Sequence, residues 1–242
     1  MYFDLKNRIY VVTGASGGIG SALVNLLNKE GAELFLIDTD QTSLDQLKKE
    51  QATHQNQNYF INSNLKDFKE ITDKLKKPIS GIIHLAGQLE SDNVTSNKKP
   101  IWERAIQNNL TNAYDIIENL LPFFDKNIIG KIILTSSLAY RRGGFDFIPY
   151  TASKGGITGL VRAYSRKLAP EILVNGLAPG IIDTKMPKML IENRGDELLK
   201  QIPQKRFGKP EEVASVILFL LSEAASYING QIINIDGGII NS

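Results

Sequence analysis

The sequence predicts an α/β fold, a doubly wound parallel sheet of about seven strands. Three observations predict it. Short apolar runs alternate with longer segments of helical period along nearly the whole chain, the rhythm of stacked βαβ units. Several runs are continuous in Val, Ile and Leu, as strands covered on both faces should be. A glycine-rich turn joins the first run directly to the first helical segment, as in a tight βα connection.

Taken in order, the strand candidates are Arg8 to Val12, Glu33 to Ile37, Asn58 to Asn62, Gly81 to Leu85, Lys131 to Ser136, Ile172 to Leu177 and Gln231 to Ile235. After the first, Ile19, Ala22, Leu23, Leu26 and Leu27 place one apolar stripe on a crossover helix that stops near Gly31. Two further segments, Pro100 to Phe124 and Pro149 to Leu168, are long enough for major helices. Gln88 to Lys99 is polar and loop-like, while Ile181 to Lys205 mixes Met186, Met189, Leu190 and Ile191 with charges after a Pro-Gly turn. No low-complexity linker or internal repeat interrupts the chain, so residues 1–242 are expected to form one domain.

The 28 Lys and Arg residues nearly balance 26 Asp and Glu, a formal charge of +2. That balance excludes the concentrated basic surplus of a nucleic-acid binder and points to a small-molecule partner. With no cysteine and two scattered histidines, disulfides, thiol nucleophiles and a transition-metal centre are not expected. The N-terminus lacks a basic head with a long apolar run, and no stretch is apolar enough to span a bilayer. The expectation is a cytoplasmic protein without membrane contact.

Thr13-Gly14-Ala15-Ser16-Gly17-Gly18-Ile19-Gly20 follows the first strand and opens the crossover helix. Such a turn lets the backbone approach a pyrophosphate, and the helix N-terminus supplies free N–H groups with positive dipole character. Gly14, Ser16, Gly17, Gly18 and Ile19 are therefore candidate dinucleotide contacts. Asp38 ends the second strand 18 residues beyond Gly20. A carboxylate there accepts hydrogen bonds from ribose hydroxyls and repels a 2′-phosphate, which favours NAD(H) over NADP(H). A solvated turn acid is the competing reading, with Asp40 as a second candidate.

From about Leu5 to Gly238 the chain resembles the single-domain branch of the short-chain dehydrogenase/reductase family. The resemblance is carried by Thr13 to Gly20, by His84-Leu85-Ala86-Gly87, by Asn109, by Ser137 in Thr135-Ser136-Ser137, and by the Tyr-x-x-x-Lys pair Tyr150 and Lys154. Pro179-Gly180 with Thr184, the run Arg206 to Val213, and Asp236-Gly237-Gly238 match further signatures. Tyr2 and Lys6 form a second Tyr-x-x-x-Lys pair, but no serine stands 13 residues before it, as Ser137 does before Tyr150; it reads as accidental. The chain departs from the family at His84 and Leu85, where two asparagines are usual, and at Asn64, where an aspartate that contacts adenine is usual. His84 reads as a structural residue at a strand end.

The resemblance implies a Rossmann-type sheet of order 3-2-1-4-5-6-7. It implies catalytic roles for Asn109, Ser137, Tyr150 and Lys154. Asn64, Leu65, Ala86, Gly87, Tyr150, Lys154, Pro179, Gly180, Ile182 and Thr184 would join the glycine loop and Asp38 around the cofactor. The chemistry is hydride transfer between a nicotinamide and a secondary alcohol or ketone, with no metal. A free tyrosine has a pKa of about 10, and Lys154, one helical turn on, would favour its phenolate. Ser137 would hold the substrate oxygen, and Asn109 would support Lys154 through a water-mediated proton path. By themselves Ser137 reads as a strand-end cap and Asn109 as a helix polar residue; their register with Tyr150 and Lys154 reverses that reading.

Phe145, Phe147 and Ile148, with the Met-containing stretch 184–205 as a lid, are candidates for an apolar pocket wall; Arg141 and Arg142 read as exposed loop residues or anion contacts. Acyl thioesters, sugars, steroids and quinone-like alcohols all remain open as substrates. Three alternatives stand beside an NAD(H) enzyme: a non-catalytic NAD(H) sensor or scaffold, an NADP-dependent 3-oxoacyl reductase, and an epimerase or dehydratase of the family's larger branch. Little length remains before Ser242 for that branch's substrate domain. A homo-oligomer, tetramer or dimer, is expected from the two long helices and the apolar segment Ile228 to Ile240.

Overall fold

In the computed structural model, which describes residues 5–54, 56–94 and 96–240, seven parallel strands form one sheet of order β3-β2-β1-β4-β5-β6-β7. The strands are β1 (Ile9–Thr13), β2 (Glu33–Asp38), β3 (Asn58–Asn62), β4 (Gly81–His84), β5 (Gly130–Thr135), β6 (Ile172–Pro179) and β7 (Ile232–Ile235). Every residue of β1, β4, β5 and β6 is buried, the reason these strands read as unbroken apolar runs. The chain is thus a single-domain Rossmann fold with the expected strand order. Tyr2 lies outside the described residues.

Side chains alternate between two cores because successive Cβ atoms of a strand point to opposite faces. Tyr10, Val12, Leu34, Leu36 and Ile83 meet helices α1 (Gly18–Lys29) and α9 (Pro210–Leu221) on one face. Ile9, Val11, Phe35, Ile82 and Ile132 belong to the opposite core. There α4 (Lys99–Ile106), α5 (Asn112–Leu120) and α7 (Ile148–Lys167) lie. Helices α2 (Gln41–Glu50) and α3 (Lys69–Lys74) connect β2 to β3 and β3 to β4, and α6 (Ala139–Arg142) lies between β5 and α7.

Two expectations change. The segment Pro100 to Phe124 is not one uniform helix: a π turn over Gln107–Thr111 separates α4 from α5, and a 3₁₀ turn follows over Leu121–Phe123. Asn109, fully buried, sits in the π turn, where a widened turn carries a polar side chain inward. Second, the stretch Ile181 to Lys205 contains a helix, α8 (Lys188–Gln201), kinked at Arg194 with φ −138° and ψ 18°. No helix of the described residues is long and apolar enough to cross a membrane.

Candidate active site

The strand order reverses between β1 and β4, and their carboxyl ends, with Thr13 paired to His84, mark the switch point where open α/β sheets bind ligands. A cleft of ≈ 1190 Å³ opens there, above the roughly 300–1,000 Å³ typical of small-molecule pockets. Its walls include Gly14, Ser16, Gly17, Gly18, Ile19, Asp38, Asn64, Leu65, Ala86, Gly87 and Thr184. The expected Pro179, Gly180 and Ile182 do not reach that wall. Pro179 accepts the Leu138 N–H at 2.9 Å, Gly180 abuts Asp236, and Ile182 is buried in the core under α9.

The glycine loop fits a pyrophosphate. Gly14 takes φ +66°, and a Cβ there would lie 2.7 Å from the Ala86 nitrogen; Gly17 caps α1 with no side-chain hydrogen bond. The first-turn N–H groups of α1 are therefore left for a ligand. A Cβ on Gly20 would fall 2.2 Å from the Gly14 carbonyl oxygen, so helix and loop touch where only glycine fits.

Asp38 serves this loop. Its Oδ2 accepts the Ser16 N–H at 3.0 Å, and Oδ1 accepts those of Thr39 and Asp40 at 2.8 and 3.2 Å. Asp40, the rival candidate, is the N-cap of α2. The Ser43 hydroxyl and amide hold its carboxyl below the usual range, with a smaller pull from Lys185 across the cleft. Asn64 has its Oδ1 on the Lys66 N–H at 3.1 Å, which leaves its side-chain NH₂ for an adenine ring.

Asn109, Ser137, Tyr150 and Lys154 do not themselves line the cleft wall; Asn109 and Lys154 stand directly behind Gly87, and Tyr150 neighbours both Lys154 and Ser137. A Cβ on Gly87 would stand 2.8 Å from Asn109 Oδ1 and 3.2 Å from Lys154 Nζ. Lys154 Nζ donates to the Thr135 carbonyl at 2.8 Å, while the Ser136 hydroxyl donates to the Lys154 carbonyl at 2.7 Å. Asn109 accepts the Gln88 N–H at 2.6 Å and donates to the Gln88 carbonyl at 3.0 Å and to Ser153 Oγ at 3.1 Å. Gln88, Ser153 and Thr135 were missed from sequence. Gln88 directly follows the His-Leu-Ala-Gly motif, and Ser153 stands beside Lys154; those adjacencies were the available signal.

The electrostatics differ from expectation. Burial raises the Tyr150 hydroxyl above its ordinary value, and the adjacent Ser137 hydroxyl offsets this only in part. Burial pulls Lys154 down to about 8, and its Nζ lies 5.7 Å from the centre of the Tyr150 ring. Desolvation is the largest cause for both groups and shifts each toward its neutral form. Phe145, Ile148, Met186 and Met189 are exposed, and Met186 lines the cleft. Arg142 donates to Gln201 of α8, and Arg141 donates to the Tyr140 hydroxyl at 2.8 Å.

Residues 14–240 match a family model described as enoyl-(acyl carrier protein) reductase. The 3-oxoacyl-(acyl-carrier-protein) reductase FabG of Thermotoga maritima is 35% identical over 98% of this chain and 99% of its own. A crystal structure of a short-chain dehydrogenase/reductase, glucose/ribitol dehydrogenase, from Brucella melitensis superposes with TM-score 0.93 at 35% identity over 100% of both chains. The Pseudomonas aeruginosa RhlG/NADP active-site complex superposes with TM-score 0.89 at 27% identity over 98% of both.

This last likeness corrects the expectation of NAD(H) over NADP(H): a relative matched along nearly its whole length is an NADP complex. The physical reason lies in Asp38. The carboxylate on which that expectation rested has both oxygens engaged by backbone N–H groups, so it clamps the turn, and its position alone does not set the cofactor. Fold, cleft, converging side chains and full-length relatives together place the chain in the short-chain dehydrogenase/reductase family of NAD(P)-dependent oxidoreductases, acting on carbonyl and alcohol substrates.

Proposed function

We propose that this enzyme is an NADP(H)-dependent reductase of 3-oxoacyl thioesters, with Tyr150 as the proton donor. The observation that carries the reading is the half-buried Tyr150 with its hydroxyl beside Ser137 and its ring beside Lys154, whose Nζ stands directly behind Gly87 of the dinucleotide cleft. A general acid for carbonyl reduction must hold its proton near neutral pH, and burial favours that state here. The glycine loop, Asn64, Ala86, Gly87 and Thr184 hold the cofactor, and Lys185 on the cleft wall offers a cation to a 2′-phosphate. Bound there, NADPH supplies the hydride.

The protein's own part is positioning and proton delivery. Ser137 and Tyr150 bind the carbonyl oxygen, and the Tyr150 proton passes to that oxygen as negative charge develops on it. Lys154, fixed through Thr135 and Ser136, holds the ribose and stabilises the phenolate left behind. Asn109 supports the water-mediated path that restores the proton. The exposed Phe145, Ile148, Met186 and Met189 receive an acyl chain, and residues 184–205 close over it as a lid. The 3-oxoacyl class rests on the name of the Thermotoga maritima relative and on those exposed apolar side chains.

Acetoacetyl-CoA with NADPH is the direct test, followed by loss of nicotinamide absorbance, with an enoyl thioester as the control for C=C reduction. Turnover of the ketone and not of the enoyl compound is expected; no turnover despite tight NADPH binding favours the sensor reading. The enzyme is further proposed to be a homo-oligomer built on α4, α5 and α7, because Trp102 and Tyr114 expose large apolar surface there, 46% and 48%. Light scattering on the eluted protein is expected to give two or four chain masses.

A further inference from the structure

The loop after Gln88 buries a carboxylate that the mechanism does not use. Asp92 is 5% exposed, and a carboxylate taken out of water needs partners. One partner lies 56 residues away: its Oδ1 accepts the Ile148 N–H at 3.3 Å. Its own N–H donates to the Asp146 carbonyl at 2.9 Å.

Ile148 is the first residue of α7, and the N-cap residue Phe147, at φ −144° and ψ 44°, provides no side-chain cap. Pro149 has no N–H, and Tyr150 is the third residue of the helix. A carboxylate at this end satisfies a free donor and faces the positive end of the helix dipole. The same loop is pinned at its start by Gln88 on Asn109 and in its middle by Glu90 on Arg104 at 2.6 Å. Residues 88–92 are thus strung between the π turn that carries Asn109 and the turn that carries Tyr150.

We infer that Asp92 is a positioning residue that caps α7 from the distant loop and so fixes the Tyr150 hydroxyl against Ser137 and the substrate oxygen. The inference rests on the reading of Tyr150 as proton donor. Loss of the cap leaves the tyrosine in place chemically but lets the first turn of α7 fray, which misaligns the donor by tenths of an ångström to an ångström, a displacement that falls on kcat.

The test compares the parent with Asp92→Ala, Asp92→Asn and Tyr150→Phe as full chains, using acetoacetyl-CoA and NADPH, with active sites counted by NADPH binding. Asp92→Ala is expected to lower kcat per site about tenfold with the NADPH Kd within about twofold. Asp92→Asn keeps an acceptor oxygen for Ile148 and is expected to recover kcat to within about threefold. A purely structural role would lower the yield of sites and leave kcat per site unchanged, which overturns the inference, as does an Asn variant no better than Ala. If Asp92→Ala does not fold, hydrogen exchange at the Ile148 amide of the parent decides: slow exchange supports the cap, and exchange at the rate of an open loop overturns it. A Tyr150→Phe variant with full rate defeats the proton-donor reading itself, and this inference with it; a dead Tyr150→Phe beside an unimpaired Asp92→Ala defeats the inference alone.

Discussion

The Thr13 hydroxyl and the His84 ring meet at 2.8 Å, Oγ1 to Nδ1, on paired residues at the ends of β1 and β4. The same Thr13 oxygen accepts the Ala86 N–H at 3.3 Å, so the hydroxyl ties the end of β4 to the loop that follows it. Nε2 is buried with no partner among the described residues. Burial, with a smaller push from Lys154, holds His84 down at about 3, so it stays neutral.

Acid stability should register this histidine. Between pH about 6.5 and about 3 the unfolded chain binds a proton at His84 that the fold does not, so stability falls as pH falls, by up to about 1.4 kcal/mol per pH unit. His84→Asn keeps an acceptor for Thr13 and removes the titration. Denaturant melts at pH 7 and pH 5 are expected to show the variant gaining on the parent at the lower pH. An unchanged difference between the two pH values would refute the neutral, buried state.

Tyr150→Phe is expected to lower turnover by about 10² to 10⁴ while NADPH affinity stays within a few-fold. The ring and its packing survive; only the exchangeable proton is lost. Paired rate and binding assays check this, and a variant with parental rate would assign the proton to another group.

Cofactor affinity should weaken as pH rises through about 8. Lys154 is pulled down to about 8 in the protein alone, and its ammonium, present below that pH, is the form that attracts an anionic dinucleotide and binds ribose oxygens. Above that pH the charge goes, and the attraction with it. Titrations of NADPH at pH 6.5, 8 and 9.5 measure the trend, and Lys154→Met is expected to flatten it.

Gly20→Ala should disrupt the phosphate loop. The new methyl would lie 2.2 Å from the Gly14 oxygen and 2.7 Å from that of Ala15, and backbone cannot yield as a flexible side chain does. A loss of about 1–3 kcal/mol is expected, with a larger proportional loss of NADPH binding. Melting and binding measured on the same preparation separate the two effects.

The sequence by itself determined the sheet, the glycine loop and the shared helix face of Tyr150 and Lys154; the place of Ser137 beside them came from the family resemblance. The first three rest on local period and spacing: Lys154 follows Tyr150 by one turn of α7 whatever surrounds it, and fully buried strands such as Ile172–Pro179 must be written in apolar residues. What needed the tertiary structure are the properties that come from residues far apart in the chain. The amide of Asn109 in the π turn is satisfied by Gln88 and Ser153, 21 and 44 residues away. The same is true of the α7 cap, whose donor and acceptor are 56 residues apart, and of Asp38, which spacing made a ribose ligand and folding made a clamp on Ser16. The direction in which Tyr150 and Lys154 shift was also decided there, because desolvation depends on what the whole fold places around a group, and no pattern of neighbours in the chain records it.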